Sequence, residues 1–267
     1  MKKKLVILVV FALLIGACQP ALTPTRGPTP PCSKEIKDAK GVPMCLVPAG
    51  EFTMGGGKAD GDSYASYPAH PVSVDAFYID KFEVTNALYK NCVDAGGCSL
   101  PGDVVKYNNS KYANHPVVYV DWDQATAYCA WRGVRLPGEA EWEKAARGTD
   151  GRAYPWGNDA PNKDLANYGK TVGDTTVVGS YEKGKSPFGV YDMAGNVWEW
   201  VADWYTVYPG NTTSMGSTDY GTKYRVLRGG SWYYDTGYMR VIFRNWGHSD
   251  AKSEYYGFRC ARSAASQ

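Results

Sequence analysis

Apolar residues run without a break from Leu5 to Ile15, the longest such stretch in the chain. Beyond it the pattern divides into short segments of differing period. Met44 to Gly55 reads as an entry strand and turn. His70-Pro-Val-Ser-Val-Asp-Ala-Phe-Tyr-Ile79 alternates apolar and polar positions, the period of a strand with one buried face. Between Glu83 and Val93 the period becomes helical. Thr85 can cap that helix, because its hydroxyl accepts a free amide of the first turn, and Gly96-Gly97 ends it. Trp122, Ala125, Tyr128 and Cys129 recur at helical spacing and predict a second helix from Asp121 to Trp131. Asp121 caps it, and Gly133 suits the left-handed exit. A third helix is predicted from Glu139 to Arg147, closing at Gly148. It opens on Gly138, which costs only about a few tenths of a kcal/mol at a cap. Short strands and long loops follow. About three helices among short antiparallel sheets define a loop-rich α+β domain.

The ends differ from this body. Lys2, Lys3 and Lys4 precede the apolar run and Gly16-Ala17 follow it, the layout of a secretory signal. The run is too short to span a bilayer comfortably. Ile15-Gly-Ala-Cys18 resembles a bacterial lipobox, in which the cysteine becomes the lipidated first residue. Gln19 to Pro31 holds five prolines and almost no apolar bulk, so it reads as an extended tether. The expected organisation is a lipoprotein signal peptide over 1–17, a Pro/Thr-rich tether over 18–31 and one domain over 32–267. Its expected location is extracytoplasmic, anchored through the Cys18 lipid to the membrane of a bacterial envelope.

Charge and composition exclude several functions. The chain has 29 basic and 27 acidic side chains. Three of the basic ones lie in the leader, so the remainder is near neutral and lacks the basic face of a nucleic-acid binder. The three histidines, His70, His115 and His248, show no zinc-type spacing. Gly55-Gly-Gly-Lys58 lacks the spacing and the hydroxyl of a phosphate loop. No nucleophile elbow surrounds Ser231, which reads as a turn residue. With 30 glycines, 16 prolines and 21 tyrosines, the domain should be rich in turns and aromatic side chains. Seven cysteines are present. If Cys18 carries lipid, the other six allow 15 pairings. Proximity favours Cys92 with Cys98 and Cys32 with Cys45.

Four segments carry a family resemblance. They are Arg135-Leu-Pro-Gly-Glu-Ala-Glu-Trp-Glu143, Gly195-Asn-Val-Trp-Glu-Trp200, Arg228-Gly-Gly-Ser-Trp232 and Gly257-Phe-Arg-Cys-Ala261. Together they resemble the sulfatase-modifying factor family, the formylglycine-generating enzymes and their relatives. The resemblance implies a modified C-type lectin fold of the formylglycine-generating-enzyme type. It also implies a long-range disulfide, since the segments around Cys129 and Cys260 match those that carry one in relatives. Catalytic members convert a substrate cysteine to formylglycine with copper held by two thiolates. Those cysteines lie three and eight residues after the serine, where this chain has Tyr234 and Met239. Soft copper prefers sulfur, and a phenol with a pKa near 10 stays protonated at neutral pH. Copper is therefore not expected, no catalytic residue is assigned, and the balance leans away from an enzyme.

The resemblance further implies structural calcium. One set is Asp192, Glu199 and the carbonyls of Gly195 and Val197. A second is Asn167, Asp174 and the carbonyls of Tyr168 and Thr176, on a loop shorter than in relatives. Such oxygen sets suit a hard divalent cation. The family cleft maps to Ser231, Tyr233, Tyr234, Asp235, Tyr238, Met239, Arg244, Trp246 and His248. Aromatic and arginine side chains of this kind dominate protein-recognition hot spots. The leading expectation is a lipid-anchored module that binds a protein or peptide. The alternatives are an oxidase with a non-standard residue set, a structural partner in the envelope, and a diversified surface receptor.

Overall fold

The computed structural model describes residues 32–57, 64–212 and 220–264. The signal peptide, Cys18 and the tether lie outside the described residues. The Met44–Gly55 segment forms two strands, β2 (Pro43–Val47) and β3 (Gly50–Met54), preceded by an unanticipated β1 (Glu35–Lys37). The alternating segment His70–Ile79 also divides, at Asp75-Ala76, into β4 (His70–Val74) and β5 (Phe77–Asp80). The two halves join different sheets. β4 pairs with β3 alone, whereas β5 lies between β2 and the last strand, β10 (Ala261–Ser263). Alternation survives in β4, while every residue of β5 is buried. A strand covered on both faces loses its period-2 signature.

The helices form where the periodicity places them: α1 (Asn86–Asp94), α2 (Trp122–Trp131) and α3 (Glu139–Arg147). Thr85 accepts from the Leu88 amide, and Asp121 forms a reciprocal capping box with Gln124. At α3 the missing cap side chain is replaced from two directions. Glu141 reaches back to the Gly138 amide at 2.7 Å, and Asp203 takes the Glu139 amide at 2.6 Å.

Asp203 belongs to β6 (Trp198–Trp204), the centre of the third sheet. That sheet runs in the order β8 (Arg244–His248), β7 (Tyr224–Arg228), β6, β9 (Tyr256–Phe258). Its β6–β9 pair is parallel, in contrast to the otherwise antiparallel pairing. Two apolar clusters fill the interior. One joins α3 to β2, β5 and β6 through Trp142, Val47, Phe77 and Val201. The other joins α1 and α2 to β6 and β9 through Tyr89, Tyr128, Trp198, Trp200 and Phe258.

Cys32–Cys45, Cys92–Cys98 and Cys129–Cys260 are bonded. All six cysteines of the described residues are thus paired, which fits an oxidising, extracytoplasmic compartment. No helix among the described residues is long and apolar enough to cross a membrane. Chain entropy ranks the bridges by the loop each one closes. Removing Cys129–Cys260, which spans 131 residues, by Cys→Ala at both ends should cost about 5 kcal/mol. Removing Cys92–Cys98, which spans 6, should cost about 2.2 kcal/mol. Urea unfolding of the two double variants checks this order.

Candidate functional site

The turn between Asp192 and Val197 is the junction of the loop-rich half. Asp192, Gly195 and Asn196 all have positive φ, at 56°, 84° and 62°. Gly195 is required there, because a Cβ would sit 2.3 Å from the Asn167 carbonyl oxygen. Asn196 ties three segments together. Its amide donates to the Asn167 carbonyl at 2.9 Å, and its carbonyl accepts from the Trp232 amide at 2.9 Å. Its side-chain oxygen accepts from the Thr176 amide at 2.9 Å, and its side-chain nitrogen donates to Glu83 at 2.6 Å.

Glu83 is a site residue that sequence reasoning missed. Its two oxygens accept from Asn196 and from the Val197 amide, and the side chain is buried. It joins Asp192 and Glu199 around one cation, Arg259. Glu199 is already paired: Arg259 donates to both of its oxygens at 2.6 and 2.7 Å, and the Trp142 indole donates at 2.8 Å. Burial, then repulsion from Asp192 and Glu199, pushes the Glu83 carboxyl well above the usual range. Burial, with Glu199 adding to it, raises Asp192 to about 6 despite the Gly179 amide and Arg259. Three buried acids surround one guanidinium, so if all were ionised their charge would exceed that of Arg259, and a hard cation is one partner that would balance it. No group of three His, Cys, Asp or Glu among the described residues converges as a metal cage. A cation here would therefore depend on carbonyl oxygens as well.

The Asn167–Asp174 set is arranged differently. Asp174 accepts from the Lys106 ammonium, from the Tyr112 hydroxyl at 2.8 Å and from the Thr175 amide at 2.7 Å. Burial opposes ionisation, but these bonds hold the carboxyl below the ordinary carboxylate range. The Tyr168 carbonyl accepts from the Thr171 amide and hydroxyl, and the Thr176 carbonyl from Asn196. Asn167 Oδ1 is buried and without a hydrogen-bond partner.

The expected cleft residues divide into five environments. Tyr233, Tyr234, Asp235 and Tyr238 line an open groove of about 380 Å³ with Gly169 and Lys170. Backbone bonds of 2.7 Å from Gly169 to the Tyr234 carbonyl and from Lys170 to the Trp232 carbonyl pin one wall to the other. The Lys170 ammonium lies 3.8 Å above the Tyr233 ring, a cation–π contact. Tyr234 packs among Tyr238, Tyr233, Trp198 and Tyr255, with ring centroids 4.9–6.0 Å apart. Burial, then the phenols of Tyr238 and Tyr233, pushes the Tyr234 hydroxyl up. Asp235 caps the short turn that follows by accepting from the Gly237 amide.

The other expected cleft residues lie elsewhere. Met239 is fully buried in a cluster with Trp156, Leu165, Ala166 and Ala194, its thioether against Gly230. Ser231 is buried as a turn residue, its oxygens accepting from the Tyr233 and Tyr234 amides. Trp246 and His248 on β8 pack at a tilt against Tyr224 on β7, with ring centroids 4.3 and 4.5 Å away, outside the groove lining. Arg244 is 3% exposed and clamps Glu139 with two bonds of 2.6 and 2.9 Å. It is a scaffold residue, because a desolvated guanidinium needs a carboxylate more than a ligand. Lys170 was not anticipated: it belongs to no motif, and only the folding of a distant loop onto Tyr233 brings it to the groove.

These residues can be set beside known proteins. Residues 32–264 match the family model described as the sulfatase-modifying factor enzyme 1-like domain. The serine/threonine-protein kinase Pkn1 of Chlamydia trachomatis serovar L2 is 36% identical over 241 residues, 82% of this chain and 38% of that protein. The chain thus spans well under half the length of that relative. The formylglycine-generating enzyme of Bos taurus is 31% identical over 304 residues, covering 91% of this chain and 78% of that protein. The structure of PvdO from Pseudomonas aeruginosa superposes with a TM-score of 0.72 at 30% identity, covering 90% of this chain and all of that one. The fold is accordingly α+β, of the formylglycine-generating-enzyme type with its modified C-type lectin arrangement.

Stability measurements distinguish scaffold from groove. Arg244→Met leaves Glu139 with Arg228, 3.6 Å away, as its cation and the Tyr208 hydroxyl at 3.4 Å, and should cost about 3–5 kcal/mol. Tyr233→Ala, at a residue 39% exposed, should cost less than about 1 kcal/mol. Chemical denaturation of both variants checks the contrast.

Proposed function

This chain belongs to the sulfatase-modifying factor family, and we propose that it is a non-catalytic member whose tyrosine groove binds a protein or peptide. The observation that carries the reading is what stands at the two reactive positions. Tyr234 is part of the groove's aromatic wall, and Met239 is buried in a separate apolar cluster. Every cysteine of the described residues is committed to a disulfide. A phenol and a neutral thioether in different surroundings supply neither a pair of thiolates for copper nor a thiol for a mixed disulfide. The groove retains features suited to recognition. Tyr233, Tyr234 and Tyr238 offer large rigid rings with polar tips, and Lys170 and Asp235 place one charge of each sign at the rim.

Two further parts of the reading concern how the domain is held. Calcium at Asp192 would draw on the carbonyls of Gly195 and Val197, with Glu199 sharing its carboxylate between the ion and Arg259. A carboxylate has lone pairs enough for both. The excess of buried acids, Glu83, Asp192 and Glu199, over the one guanidinium of Arg259 supports this assignment. Lipid at Cys18, with the proline-rich stretch as tether, would hold the domain at a bacterial membrane on its extracytoplasmic side. The disulfides support that compartment.

One assay tests the non-catalytic reading. Purified protein incubated with copper, reductant and a Cys-x-Pro-x-Arg peptide should form no aldehyde detectable by mass spectrometry. Aldehyde formation would defeat the proposal. Binding is tested with peptides selected from a displayed random library. Tyr233→Ala and Tyr234→Ala should each weaken a selected peptide about tenfold or more. Selection of peptides whose affinity neither variant changes would place recognition elsewhere. The calcium assignment predicts that chelation lowers the melting temperature by about 5–10 °C at saturating metal. Asp192→Asn should remove that difference in calorimetric scans.

A further inference from the structure

The two oxygen sets implied by the family differ in charge balance. At the Asp192 turn, three buried acids face one guanidinium. At the Asn167–Asp174 loop, a single carboxylate already faces an ammonium. We propose that Lys106 supplies from within the chain the positive charge that this loop would otherwise take from calcium, so that the loop folds without a metal.

The geometry is that of a clasp. Lys106, Tyr112 and His115 come from the one segment between α1 and α2, and all three close on Asp174-Thr175. Lys106 pairs with Asp174 Oδ1, and the Tyr112 hydroxyl donates to Oδ2 at 2.8 Å. The His115 ring nitrogen Nδ1 lies 3.0 Å from the Thr175 hydroxyl. The three are also packed against one another. The Lys106 ammonium lies 5.4 Å from the centre of the Tyr112 ring, and the Tyr112 and His115 rings are 4.8 Å apart. A hydrogen bond from the Asn109 amide to the Lys106 carbonyl, at 3.0 Å, fixes the turn that presents the lysine.

The remaining oxygens agree with this reading. A calcium ion needs six to eight oxygen ligands. Both Asp174 oxygens and the Tyr168 and Thr176 carbonyls already accept hydrogen bonds. Asn167 Oδ1 is the one member of the set without a partner. An accepting oxygen keeps a lone pair to share, so what separates this set from the Asp192 turn is charge: its single carboxylate is already balanced by Lys106, and an ion beside Asp174 would meet the repulsion of that ammonium.

The test uses calcium itself as the probe, with titration calorimetry for stoichiometry and melting temperature in chelator for stability. Asp174→Asn should bind as many calcium ions per chain as the parent protein. Lys106→Gln in chelator should melt about 2–4 °C lower, the range for a partly exposed pair, and Lys106→Arg should recover most of that loss. Loss of one calcium per chain in Asp174→Asn would overturn the proposal, as would a Lys106→Gln variant that melts no lower than the parent. Failure of the Asp192 assignment reads differently: the parent would bind no calcium, while the Lys106 variants would still differ in chelator.

Discussion

Buried guanidinium–carboxylate pairing is the constraint on which this structure depends. Arg228, Arg244 and Arg259 come from the C-terminal third of the chain and are almost completely buried. They reach Glu143 and Glu139 on α3 and Glu199 on β6. Arg132 on α2 does the same for Asp38 and Asp80, each from a different segment. Every pair joins elements distant in sequence, and most of these arginines also bond loop carbonyls. Arg228 binds those of Val241 and Phe243, Arg244 those of Ala65 and Thr206, and Arg259 those of Asp80 and Tyr191. Loops with few apolar contacts are thus ordered through their backbones. Such pairs add little over a hydrophobic replacement, but losing one partner is severe, because the other charge stays buried. They therefore specify one arrangement of the loops.

The same logic separates the groove from its foundation. Arg244 and Met239 lie among the motif residues of the family cleft, yet one holds α3 and the other fills an apolar cluster. The tyrosines stay accessible because the scaffold beneath them is satisfied. Glu139, Glu143 and Glu199 are all consumed by ion pairs, and none is left to serve as an acid or base at the groove. The acids in excess of guanidinium, Glu83 and Asp192, lie outside the groove lining and bond loop groups instead, Glu83 the side chain of Asn196 and the Val197 amide and Asp192 the Gly179 amide.

Local signals proved legible where the physics is local. Thr85, Asp121 and the glycines Gly133 and Gly148 mark helix ends that the structure reproduces, because capping is decided within a few residues. The strand pattern was less reliable. His70–Ile79 reads as one strand, but its second half is a separate central strand, paired at both edges by β2 and β10 and buried throughout, a fact that lies outside the segment. α3 is a sharper case. Its Glu139, Glu143, Lys144 and Arg147 resemble a solvated charged face and are all buried. Apart from the Glu143–Arg147 pair within the helix, their partners lie on β3, β7 and β8 and in neighbouring loops, so no window of sequence contains the rest of the pairing.

The sequence by itself determined the family motifs, the three helices, the short-range disulfide Cys92–Cys98 and the replacement of both reactive positions by Tyr234 and Met239. These rest on residue identity and short-range geometry. Only the tertiary structure decided which of the cleft residues are exposed, that Glu83 joins Asp192 and Glu199, and that Lys106 reaches Asp174 across 68 positions. Burial and long-range charge pairing depend on what the rest of the chain brings alongside, and that is set by the packing of the whole domain.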